Sequence, residues 1–108
     1  MSTVADWLES REPAPPSALL VRLRAALGNG ATRDAGETVE VCLAAGERLL
    51  AAVLASEDAS RECALDLLTA DALVTYAFEA ASDRPGELAA RASRAMTRIA
   101  SLGVHPGC

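Results

Sequence analysis

The chain contains no lysine and no glutamine, one histidine, and one each of tryptophan, tyrosine and phenylalanine among its 108 residues. Without lysine there is no side-chain amine for Schiff-base chemistry. A lone histidine, His105, cannot build the paired-histidine sites of zinc hydrolases or the Glu-x-x-His pairs of carboxylate-bridged bundles, and an imidazole base is not expected. Gly-x-Ser-x-Gly elbows, Walker loops and dinucleotide fingerprints are all missing. Three cysteines, Cys42, Cys63 and Cys108, form neither a disulfide framework nor a Cys-x-x-Cys zinc pattern. Cys42 and Cys63 are therefore read as core thiols in a reduced, cytoplasmic setting. No run approaches the ~18 apolar residues of a membrane span. The first ten residues carry Asp6 and Glu9 and no apolar core, so no secretory signal is expected.

What the chain does have is apolar helix. Hydrophobic residues make up 51% and charged residues 23%, the balance of an ordinary globular domain rather than a disordered segment. A chain of 108 residues is one domain, long enough to bury a core without a structural metal. Ten basic residues, every one arginine, stand against fifteen acidic ones, for a net charge of −5. Such a surface repels nucleic acid and anionic membranes at long range, and neither is expected as a partner.

Punctuation divides residues 1–108 into one short and four longer helices. Ser2 or Thr3 caps a short helix within 2–11, bearing Val4, Trp7 and Leu8, with Trp7 as the anchor. A proline-rich linker, 12–16, ends it, because proline lacks the amide a helix interior needs. Leu19, Leu20, Leu23 and Leu27 then recur at helical spacing, and Gly28, Asn29 and Gly30 stop that second helix. Asp34 followed by Glu37 reads as a capping box opening a third helix, Glu37 to Ala55. Its stripe is Val39, Cys42, Gly46, Leu49 and Val53. The fourth helix, about Ser60 to Ser82, is apolar on nearly every side and is expected at the centre of the fold, either surrounded by the other helices of its own chain or with one face covered by a second copy. A fifth starts at Asp83 and Pro85, buries Leu88, Ala92, Ala95, Met96, Ile99 and Leu102, and stops at Gly103, leaving a tail, 104–108. Short connections imply antiparallel neighbours. Strand-type alternation is absent. The expected architecture is all-α, a small antiparallel helical bundle of four main helices plus a short N-terminal one.

Three sets of residues stand out. Asp71 sits inside the apolar fourth helix, where a carboxylate needs a partner, and Arg48 on the adjacent helix is the candidate. Together with Tyr76 they form the candidate ligand-binding set, in which Asp71 or Arg48 orients a small apolar molecule held between the third, fourth and fifth helices. Tyr76 and Phe78 are two positions apart, so they point about 200° from each other and pack against different neighbours. Arg91, Arg94 and Arg98 share one face at spacings of three and four. They are the candidate partner-binding row, suited to an acidic protein or to Glu40 and Glu47 of a second subunit.

The stretch Ala70 to Glu79 resembles a helix of the all-helical trans-prenyl diphosphate synthases. Their aspartate-rich, magnesium-binding motifs have no counterpart in this chain, and no family is assigned. No metal or cofactor is expected. The function read from the sequence is a non-catalytic helical interaction or structural module that associates with itself. The alternative is a small apolar-ligand binder using Asp71 or Arg48.

Overall fold

The computed structural model describes the backbone of residues 2–57, 60–82 and 85–102, and the side chains of all of these except 85–91. Five α-helices make up the fold, and no strand occurs among the described residues. Helix α1, Val4–Glu9, begins where Thr3 and Asp6 cap each other. The Asp6 amide donates to Thr3 Oγ1 at 3.1 Å and the Thr3 amide donates to Asp6 Oδ2 at 3.0 Å. That reciprocal pair satisfies two amides that no helical carbonyl can reach, and it holds the Asp6 carboxyl below its ordinary value. Val4, Ala5 and Leu8 are buried. Helix α2, Ser17–Leu27, buries Leu23 and Leu27 and stops at Gly28, whose φ of +54° is a left-handed conformation that glycine adopts without steric cost.

The segment from Gly28 to Glu37 departs from the sequence expectation. It forms two short 3-10 turns, Gly28–Thr32 and Ala35–Glu37. Asp34 does not enter a capping box with Glu37. Its carboxylate accepts from the Gly36 amide at 2.8 Å, while the Glu37 carboxylate pairs with Arg33. The competing partner, one turn away and of opposite charge, wins over the cap. Backbone hydrogen bonds from Val4 to the Arg33 carbonyl (2.9 Å) and from Ala35 to the Ser2 carbonyl (3.0 Å) join this segment to the N-terminus.

Helices α3, Thr38–Ala55, and α4, Arg61–Ala81, are the structural centre. Ser60 caps α4 by accepting from the Cys63 amide at 3.1 Å. The two helices run antiparallel: Gly46 faces Ala70, Leu73 and Val74, while Val53 near the end of α3 flanks Cys63 near the start of α4. A Cβ placed on Gly46 would lie 3.2 Å from Val74 Cγ2 and 3.4 Å from the Ala70 carbonyl oxygen. Glycine is therefore what lets the backbones approach this closely. Helix α2 is fastened to α4 by Arg22, whose guanidinium reaches Glu62 at 3.0 Å and Asp66 at 3.3 Å. Helix α5, Pro85–Ser101, packs on α3 and α4 with Ala95 buried.

Burial differs from expectation in several places. Of the two arrangements expected for α4, it is not the one in which its own chain surrounds it on all sides. Its buried face consists of Cys63, Thr69, Ala70, Leu73, Ala77 and Ala81, and the opposite face leaves Leu67 45% and Leu68 55% exposed. Met96, expected inside, is 63% exposed, because it lies one position, about 100° of helix rotation, beyond the buried Ala95. Thr69 sits inside by donating its hydroxyl to the Leu65 carbonyl at 2.8 Å, which meets the requirement that a buried hydroxyl be bonded.

The cysteines differ from one another. Cys63 is disulfide-bonded, against the expectation of a free core thiol. Cys42 is free and fully buried, and burial pushes its thiol from the ordinary 9.0 up to about 12. Thiolate is the reactive form. Native protein at pH 8 should therefore leave Cys42 unmodified by a disulfide-exchange dye over hours, whereas the same dye in 6–8 M urea should label Cys42 within minutes, as read by peptide mapping; rapid native labelling of Cys42 would contradict the buried placement. Because the folded thiol holds its proton more tightly than the unfolded one, the associated stability is complete below about pH 9 and declines as pH rises toward 12. His105 and Cys108, read as parts of the tail, lie outside the described residues.

Candidate functional site

The outward face of α4 is the most distinctive surface of the molecule. Arg61, Ala64, Leu68, Asp71 and Thr75 are all exposed and follow one another at steps of three and four, the spacing that keeps residues on one side of a helix; Leu67, also exposed, flanks them. This arc lies opposite the buried face. Two leucines stand at its middle, with a cation toward one end and a carboxylate toward the other. Arg61 and Asp71 are without ion-pair partners among the described residues.

Beside that face, α3, α4 and α5 enclose a cleft of about 180 Å³. Leu50, Leu67, Val74 and Ile99 give it an apolar lining, and Glu47 and Asp71 supply carboxylates. Glu47 is neutralised within the chain, since Arg98 Nε lies 2.5 Å from its Oε1. Asp71 has no ion-pair partner among the described residues.

The residues singled out from the sequence are dispersed by the fold. Asp71 is exposed rather than buried, so the carboxylate needs no partner for folding: it belongs to the arc of α4 that points away from the core. Arg48 is also exposed and opens on a different depression, of about 540 Å³, shared with Arg33, Glu37 and Glu40 beyond the end of α2. No ion pair joins Arg48 to Asp71 among the described residues. Tyr76 packs on α1. Its ring meets that of Trp7 edge-on, with centroids 6.3 Å apart and planes at 87°, an arrangement favoured by the ring quadrupoles. Burial, then the neighbouring Glu79, pushes its phenol above the ordinary value. Arg11 completes the assembly, with its guanidinium carbon 4.4 Å from the Trp7 ring centroid and its Nε 3.5 Å from Glu79 Oε1.

The arginine row is not a uniform free face. Arg98 is committed to Glu47 of its own chain, Arg94 is exposed without an ion-pair partner among the described residues, and the side chain of Arg91 lies outside them. The sequence reading passed over Arg61, Ala64 and Leu68. Their joint spacing with Asp71 was the available signal, hidden by the expectation that all of α4 is interior.

Among the described residues, no group of three or more His, Cys, Asp or Glu side chains is placed to hold a metal ion, and no helix is long and apolar enough to cross a membrane. No protein-family model matches the chain, and neither a curated protein nor a solved structure matches it at a significant level.

Proposed function

We propose that the protein is a non-catalytic helical interaction module that associates with a second copy of itself through the outward face of α4. The observation that supports this reading is the adjacent pair Leu67 and Leu68, 45% and 55% exposed on a helix whose opposite side already forms the core. Covering two such leucines removes apolar surface from water at roughly 25 cal/mol per Å². Exposed apolar side chains grouped on one face are the usual mark of an interaction surface.

Sedimentation equilibrium on the full chain tests the proposal. Wild-type protein should show a concentration-dependent mass between one and two chains or above. Leu68→Glu should shift it to a monomer with unchanged helical circular dichroism, because the substituted side chain is outside the core. A wild-type monomer at high micromolar concentration overturns the reading.

The α3–α4–α5 cleft supports the second reading, a small-molecule binder. Its volume is close to that of a cavity able to admit a benzene-sized molecule, and the Asp71 carboxylate suits a small apolar amine. Arg48 has no part in this version, being on another surface. Native mass spectrometry separates the two readings. Integer multiples of the chain mass support self-association, and extra mass that disappears on denaturation supports the binder.

A further inference from the structure

The outward arc of α4 has a symmetry that selects one way of pairing. Arg61 and Asp71 are each five positions from residue 66, and Ala64 and Leu68 are each two positions from it. All four side chains are exposed. Steps of three, four and three keep them on one ridge, which runs about 15 Å along the helix at 1.5 Å per residue. Turning a second copy of this ridge end for end about residue 66 places Arg61 over Asp71 of the other copy and Asp71 over its Arg61. The same rotation seats each Leu68 against the partner's Ala64, a large side chain into the space beside a small one.

Resting on the self-association reading above, we propose that two copies pair through antiparallel α4 helices about a two-fold axis at residue 66, closed by reciprocal Arg61–Asp71 ion pairs around a Leu68–Ala64 centre. Charge rules out the parallel alternative. With the helices parallel, arginine would face arginine and aspartate would face aspartate, an arrangement that like-charge repulsion disfavours. An isologous two-fold contact is also the commonest solution for a homodimer, because one patch serves both subunits. Neither Arg61 nor Asp71 has an ion-pair partner among the described residues, so dimer formation breaks no ion pair made among them. The association would also cover the mouth of the cleft at Leu67 and Asp71.

Charge reversal in single variants and their mixture tests the pairing. Arg61→Asp gives a ridge with aspartate at both ends, and Asp71→Arg gives one with arginine at both ends. Each variant alone should dimerise about tenfold more weakly than wild type, since two attractive pairs become two repulsive ones. An equimolar mixture should form the heterodimer with a dissociation constant within about threefold of wild type, because both attractive pairs return. The Asp71→Arg variant separates the register from overall charge. The reversals move the net charge from −5 to −7 and to −3, so on overall charge alone Asp71→Arg should dimerise more tightly than wild type and the mixed pair, at −10 in total, about equally, whereas the register makes Asp71→Arg weaker; an Asp71→Arg dimer tighter than wild type overturns the register. Dissociation constants come from sedimentation equilibrium of the full chains, with circular dichroism as the check on folding.

Failure of the register and failure of the broader reading look different. If Leu68→Glu abolishes dimers while both charge variants dimerise like wild type, the antiparallel register is overturned and the α4 surface stands. A mixture no tighter than its components also overturns the register. If dimers persist in Leu68→Glu, or wild type is monomeric, the surface itself is overturned and the register with it.

Discussion

Leu73→Ala is expected to lower folding stability by about 3 kcal/mol, within the range for deleting a fully buried leucine side chain. Leu73 is 0% exposed and lies on α4 where it faces Gly46 of α3. The size of the effect depends on whether neighbours can move into the vacated space. Here they have little freedom, because the backbones of α3 and α4 are already close at Gly46 and Ala70 and cannot be drawn further together. The cavity term should persist alongside the lost transfer energy. For a domain whose total stability is about 5–15 kcal/mol, that is a large fraction. Urea denaturation should show a lower midpoint at an unchanged slope. A loss below about 1 kcal/mol would mean that the seam collapses after all.

Gly46→Leu is the counterpart, a group added at the same seam. The position allows a Cβ only by small movements, with Val74 at 3.2 Å and both the Ala70 carbonyl and Leu73 Cβ at 3.4 Å. Two effects oppose each other for alanine. Removing glycine from a helix interior favours the folded state by about 1 kcal/mol, and the tight contact takes back a similar amount, so Gly46→Ala should be near neutral. Leucine adds a further isopropyl group with backbone on the far side, and overpacking of that kind costs about 1–3 kcal/mol. The pair of variants thus distinguishes crowding from helix propensity. If Gly46→Leu is as stable as wild type, the close approach of α3 and α4 is incorrect.

Where a single residue type acts locally, the sequence was legible. Thr3 and Ser60 are caps, Gly28 is a left-handed stop and Pro85 begins a helix, each for a reason confined to a few neighbouring atoms. Helix existence and approximate bounds follow from such signals. Which face of α4 points inward does not. Its buried side is lined mainly by small residues, Ala70, Ala77 and Ala81, with Thr69 and Cys63, while its bulkiest consecutive pair, Leu67 and Leu68, faces outward. Small residues win the interior because they permit the close approach opposite Gly46, a property of two helices together that hydrophobic periodicity in one cannot express. The misplacement of Asp71 follows directly, since its burial was inferred from its leucine neighbours. Spacing likewise put Arg94 and Arg98 on one helix face and named Glu47 as a partner, but of a second subunit; that Arg98 meets the Glu47 of its own chain, fifty-one residues away, depends on how α3 and α5 pack, which spacing within one helix does not express.

The hydrogen bonds between residues 2–4 and 33–35 have a mechanical consequence. The end of a chain usually frays independently of the rest, but here the first turn is clasped to a segment thirty residues away, immediately ahead of α3. Peeling α1 from the core must release both ends of the clasp, and with them the junction that sets where α3 begins. Residues 2–9 and 28–37 therefore open as one cooperative unit, and a disturbance at the N-terminus is transmitted to the start of the central helix pair.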